Sequence, residues 1–313
     1  MSHPLAEAPT GSVSRFSQRL LPLLYQHRLM STSQLHYLLT PHTKRPEYLL
    51  RQLRHLRTTG LVESVDRRAS RLGNCELLWH VTAAGCEVVE ASSAVTTRSY
   101  RMSTRAAASQ LQEHTLAVVD TGITFTKWAE HLGDECGPLD WEPELAHRVR
   151  EGDNRMGDDA FLVPDAVLRY THTTQEGRRQ MLTFFLEVDR ATMQVARLGQ
   201  KLSTYARYAT YTPLAGRRRQ ARGVREAWRD RYPVFPRLLI ILSGAGPAAL
   251  ARRTTDLRAL AAVDPRLSQG GLLRAGVTTV ELLKEKGPFA PVVTPLLGPP
   301  ELTNVLLTPF QTT

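Results

Sequence analysis

Residues 160–170 read AFLVPDAVLRY, and residues 178–208 read RRQMLTFFLEVDRATMQVARLGQKLSTYARY. The two apolar runs have the length and the aromatic and β-branched content of strands. The second run ends on Glu187 and Asp189, and residues i and i+2 of an extended chain project to one face. From Ala191 the period becomes helical, with Val195, Leu198, Leu202 and Tyr205 on one stripe. The pattern continues outward with a strand at 236–244 (PRLLIILSG), a helix at 247–263 and a final strand over 272–283. Upstream, Leu139–Val149 reads as a strand bearing Glu142 and Glu144. Residues 110–134 read as a long helix whose His114 is expected to be a satisfied core histidine. Helices interleaved with strands around a mixed sheet define an α/β (α+β) class.

The N-terminal third has a different pattern. Residues 14–29 predict an amphipathic helix that Pro22 weakens or restarts. Ser31, Thr32 and Ser33 offer N-caps for a short second helix at 34–39. Residues 43–60 (TKRPEYLLRQLRHLRTTG) predict the clearest helix, with Leu49, Leu53 and Leu56 inward and Gly60 as its stop. A hairpin follows, 61–65 and 75–81 joined by the basic loop DRRASRLGN, and then a helix from Thr82. Three helices, a hairpin and a closing helix make a winged helix-turn-helix. In that arrangement Lys44, Arg45, Arg51, Arg54 and His55 face DNA from the third helix, and Arg67, Arg68 and Arg71 face it from the wing. A solvated basic face used for protein contacts is the alternative.

The chain has 313 residues, with 40 Lys and Arg against 30 Asp and Glu, a net charge of +10. Residues 1–110 carry +7, residues 111–160 carry −8 and residues 161–313 carry +11, so two basic segments flank an acidic belt. Basic surfaces attract polyanions. Three cysteines without CxxC spacing argue against a disulfide framework or a zinc cluster. No apolar run reaches the roughly 20 residues of a membrane span, and residues 1–16 lack a signal pattern, so a cytoplasmic location is expected. Phosphate-binding GxxxxGK[ST] and hydrolase GxSxG frames are missing, and Leu242–Pro247 lacks the third glycine of a dinucleotide turn. The basic stretch 216–231 reads as a solvated loop or a phosphate contact.

The chemistry gathers at strand ends. If the strand holding Asp165 lies beside Glu187 and Asp189, three carboxylates converge. A hard cation such as Mg²⁺ neutralises such a group through oxygen ligands, polarises a phosphodiester and activates water. The sequence Pro164-Asp165, then Glu187-Val188-Asp189 and a helix, resembles the PD-(D/E)XK nuclease superfamily. Joined to the winged helix, it resembles more narrowly the replication-relaxation family of plasmids and mobile elements. That likeness covers roughly residues 14–300. It is carried by the helix with His114, by Trp141-Glu142, by Glu187-Val188-Asp189-Arg190, and by Lys201 and Tyr205.

The resemblance implies a DNA-binding scaffold acting in plasmid replication and relaxation of supercoiled DNA, with Asp165, Glu187, Asp189 and Lys201 as catalytic residues. Its metal, Mg²⁺ or Mn²⁺, would lie on Asp165, Glu187 and Asp189. The implied partners are double-stranded DNA, replication or conjugation proteins of the mobile element, and a second copy of the chain in a homodimer; no membrane is implied. The third motif position, usually Lys, is Asp189. Lys201 replaces it only if its helix packs across the site, roughly 13 Å along the axis from a start at Thr192. Otherwise Arg190 and Lys201 hold a vestigial cluster in salt bridges. A Mg-dependent DNA endonuclease and an inactive nuclease-like domain both stay open. So do a winged-helix transcription regulator and a transfer accessory factor using the acidic belt. The expected domains are a tail at 1–13, the winged helix at 14–92, a linker at 93–108, the nuclease-like domain at 109–300 and a tail at 301–313.

Overall fold

A computed structural model describes residues 14–67, 76–92, 95–97, 102–108, 112–151, 160–213, 225–268 and 271–307. The expected N-terminal tail 1–13, residues 308–313 of the expected C-terminal tail, Arg68, Arg71 and most of the basic stretch 216–231 lie outside the described residues. The chain divides into two compact units, Met1–Leu116 and Ala117–Thr313.

In the first unit, α1 (Arg15–His27) runs unbroken through Pro22, burying Leu20, Leu21, Leu23 and Leu24 around it. Burial of four leucines offsets the one backbone bond that proline removes. The strand β1 (Met30–Ser31) leads into α2 (Thr32–Leu39), which begins where Ser31 and Gln34 cap each other's backbone N–H groups. Helix α3 (Glu47–Thr58) starts four residues later than the sequence suggests. Pro46 is its N-cap, and a residue before proline is pushed out of the helical region. Lys44 and Arg45 therefore precede α3. Leu49, Leu53 and Leu56 form its buried stripe.

The hairpin strands β2 (Val62–Asp66) and β3 (Leu77–Val81) pair antiparallel from Val62↔Val81 to Asp66↔Leu77, and β1 adds to the other side of β3. Thr82 caps α4 (Ala83–Ala91). A Cβ at Gly85 would lie 2.1 Å from the Leu61 carbonyl oxygen, so the close approach of α4 to the hairpin base requires glycine there. A short helix, α5 (Thr104–Ala107), follows. The predicted order of three helices, hairpin and helix is the observed one.

Helix α6 (Gln112–Leu132) places its first residues in this unit and the rest in the second. His114 is half-buried on it. In the second unit the expected strand over Leu139–Val149 is two pieces, β4 (Trp141–Pro143) and β5 (His147–Arg148), because Glu144 between them sits at φ 52. The strand β6 (Phe161–Leu162) pairs with β5. Long strands follow, β7 (Ala166–Thr173) and β8 (Arg179–Asp189), then α7 (Val195–Thr210), β9 (Arg237–Leu242), α8 (Pro247–Val263) and α9 (Pro265–Ser268).

The expected final strand stops early. Thr279 ends β10 (Ala275–Thr279), and its hydroxyl accepts the Leu282 N–H to start α10 (Val280–Lys286). The last strand is β11 (Thr294–Pro295). Six strands form one sheet in the order β11-β10-β9-β8-β7-β4, parallel across β8, β9 and β10 and antiparallel elsewhere. The chain is thus mixed α/β, as the sequence predicted. One sheet face is buried under α7 and α8, where Phe185, Leu202, Tyr205, Leu238, Ile240 and Leu257 share a core. No helix among the described residues is long and apolar enough to cross a membrane.

Candidate functional site

Asp165 immediately precedes β7. The register Ala166↔Leu186 continues back to place Asp165 across from Glu187. The Val188 N–H donates to Asp165 Oδ2 over 2.7 Å and fixes that carboxylate against β8. Glu187 faces α7, which begins at Val195 rather than Thr192. Lys201 is six residues in, roughly 9 Å along the axis, and this shorter offset lets it reach the strand end. Its Nζ donates to Glu187 Oε2 at 2.5 Å and stands 3.5 Å from Asp165 Oδ1. One turn later, Tyr205 donates its hydroxyl proton to Glu187 Oε1. Three of the four residues expected to be catalytic are thus together, with a tyrosine added.

The site is buried on one side and open on the other. The Glu187 side chain is 4% exposed, while those of Asp165 and Lys201 are 17% and 29% exposed. Burial pushes the Glu187 carboxyl up to about 7, against the pull of the Lys201 ammonium and with help from the Asp165 charge. Burial works to lower the Lys201 ammonium, but the two carboxylates overcome it and hold the group above the usual lysine value. Tyr205 is raised by burial and by the Glu187 charge, so its phenol stays protonated. A carboxyl poised near neutrality beside a fixed ammonium is an arrangement suited to proton transfer.

Asp189 goes elsewhere. Its Oδ1 accepts the Ala191 N–H at 3.0 Å, and its Oδ2 pairs with Arg253 of α8. Among the described residues no group of three or more His, Cys, Asp and Glu side chains is placed to hold one metal ion. The carboxylate pair is the part that fits one. Asp165 and Glu187 are hard oxygen donors facing each other with a cation, Lys201 Nζ, already bridging them. Mg²⁺ is commonly held by one or two carboxylates, with water and phosphate oxygens completing its shell. Arg253 had no signal in the sequence. It is one arginine among many, 64 residues from its partner.

In the first unit, Arg51, Arg54 and His55 are exposed on α3, opposite its leucine stripe, and Lys44 and Arg45 are exposed just before it. The Arg51 guanidinium lies 5.2 Å over the Tyr48 ring. Arg67, expected on the wing, is turned onto acids instead. It donates to Glu113 at 2.9 and 3.0 Å and to Glu76 at 3.2 Å. Its guanidinium is raised further by those bonds, led by the hydrogen bond to Glu113.

A family model described as replication-relaxation matches residues 21–224. No curated protein and no solved structure matches the chain.

Proposed function

The chain belongs to the replication-relaxation family, and from that membership and the two charge arrangements we propose that it binds double-stranded DNA of a plasmid or mobile element and nicks it during replication and relaxation. In this reading the first unit is a winged helix. The strip of exposed cations from Lys44 to His55 lies along the DNA, with Arg51 and Arg54 reaching phosphates and base edges. Arg67 serves as a brace at the base of the wing.

The second unit is read as a PD-(D/E)XK-like domain. The observation that carries the nicking assignment is Lys201 Nζ at 2.5 Å from Glu187 and 3.5 Å from Asp165, since this supplies from α7 the lysine missing at position 189. Asp165 and Glu187 would hold Mg²⁺ or Mn²⁺, which when bound polarises the phosphodiester and acidifies water. Asp189 would not be a ligand. Lys201 would offset the charge that develops on phosphate oxygens. Tyr205 orients Glu187 through the hydrogen bond it donates to Oε1.

Incubation of the purified chain with supercoiled plasmid and Mg²⁺ or Mn²⁺ tests this. Open circles should form with the wild type and fall to background with Asp165→Ala and Glu187→Ala, while both variants still bind the plasmid. Binding without nicking by the wild type would leave the regulator reading. Nicking by Glu187→Ala at the wild-type rate would overturn the site.

A further inference from the structure

Sheet register fixes Glu187, but Lys201 arrives on α7. Five residues, Arg190 to Gln194, lie between the end of β8 and the start of that helix. This turn sets where α7 starts, while Leu198, Leu202 and Tyr205 pack the rest of the helix into the core. Ala191 sits at φ 56, in the left-handed region that an alanine rarely adopts. Gln194, the N-cap of α7, contributes no side-chain cap. The turn therefore does not keep this path through its own preferences.

Two side chains hold it from outside. Asp189 Oδ1 accepts the Ala191 N–H at 3.0 Å, and Arg253 Nη2 donates to the Met193 carbonyl at 2.6 Å. The Arg253 Nε closes the circuit onto Asp189 Oδ2. The Asp189 and Arg253 side chains are 2% and 10% exposed, so water offers little substitute for either partner. Arg253 is six residues after Pro247, the first residue of α8, and so ties that helix, the end of β8 and the approach to α7 to one point.

We propose that Arg253 is a positioning residue for the Glu187–Lys201 pair: through Asp189 and the Met193 carbonyl it sets the start of α7 and so places Lys201 over the carboxylates. What the pair does rests on the nicking reading above; how it is held does not. Arg253→Met keeps much of the side-chain volume and removes the charge and both donors. Arg253→Lys keeps the charge against Asp189.

The test acetylates full-length protein with an N-hydroxysuccinimide ester and follows each lysine by mass spectrometry, with exposed Lys284 as the internal reference. Lys201 should react about tenfold faster, relative to Lys284, in Arg253→Met, the factor expected from losing one charged hydrogen bond. In Arg253→Lys, which keeps the charge but offers one donor nitrogen in place of two, the rate should fall between those of wild type and Arg253→Met. Unchanged Lys201 reactivity in Arg253→Met overturns the proposal. Equal acceleration in Arg253→Met and Arg253→Lys overturns it as well, since packing alone would then explain the result. Should Arg253→Met fail to fold, Asp189→Asn, which keeps an acceptor for the Ala191 N–H, must accelerate Lys201 labelling or the proposal falls. Plasmid nicking by Arg253→Met should drop up to about 100-fold, the cost of an ångström-scale misplacement, with DNA affinity unchanged. If the wild type shows no nicking, the cleavage reading fails and the labelling ratio still decides the positioning role.

Discussion

On α3 of the first unit, Arg51 and Arg54 stand exposed above the buried leucines of their own helix. In the second unit Lys201 and Arg253 are drawn inward onto Glu187 and Asp189, and the two carboxylates are almost sealed from solvent. The same residue types thus do opposite physical work. An exposed guanidinium on a rigid helix contributes little to folding and remains available to a polyanion, with a strength that salt controls. A buried ion pair loses hydration and gains only if its geometry is good, so breaking it is costly. The exposed face of α3 is thus open to substitution without unfolding, and the buried ion pairs of the second unit are not.

Three measurements would sharpen or break that contrast. The largest effect is expected at Lys201. Lys201→Met leaves Asp165 and Glu187 facing each other without their cation and should cost about 3 kcal/mol in urea unfolding at pH 8. A loss under about 1 kcal/mol would mean that the inward charges are as expendable as those on α3.

The next effect is acid sensitivity at His147. This ring is buried among Phe185, Tyr208 and Tyr232, with Nε2 2.7 Å from the Tyr232 hydroxyl. Burial, aided by the Arg231 charge, pushes it down to about 3. Above the unfolded value near 6.5 the ring is neutral in both states and carries no penalty. As pH falls below that value, the unfolded chain takes a proton that the native state refuses. The His147 contribution to stability then falls by about 1.4 kcal/mol per pH unit until the native value is reached, against the opposite trend from the raised Glu187 carboxyl. His147→Gln, which still offers Tyr232 a hydrogen-bond partner, should remove that slope between pH 6 and 4 in acid titrations of unfolding. His80 of the first unit is also lowered, chiefly by burial. An unaltered slope in His147→Gln would move the acid sensitivity there.

The smallest effect on stability belongs to α3. The double variant Arg51→Ala, Arg54→Ala should unfold within about 0.5 kcal/mol of wild type. The dependence of log DNA affinity on log salt should nevertheless flatten by about two units. An unchanged salt slope would remove α3 from the DNA interface.

Local pattern made much of this legible. The leucine spacing of α3, the serine cap of α2 and the apolar runs of β8 and β9 act within a few residues, so each reads directly from the chain. The misreadings were also local. Pro46 delayed α3 and moved Lys44 and Arg45 ahead of it, and Thr279 turned the end of an expected strand into the helix α10. The Asp165–Glu187 pair was visible as a condition on strand pairing, and Lys201 as a condition on helix packing. The partners of Asp189 and Arg67 were not visible.

The amino-acid sequence by itself determined the order of most helices and strands, where charge accumulates, and that Glu187 and Asp189 end an apolar strand. Those features follow from side-chain period and backbone preference, which act over a turn or a strand. Only the tertiary structure decided that Lys201 meets Glu187, that Arg253 claims Asp189 and that Arg67 turns to Glu113 and Glu76. Each of those choices depends on register, on a helix start displaced by three residues, or on a partner tens of residues away. An ion pair forms where folding brings charges within a few ångströms and strips their water, and spacing along the chain does not encode that.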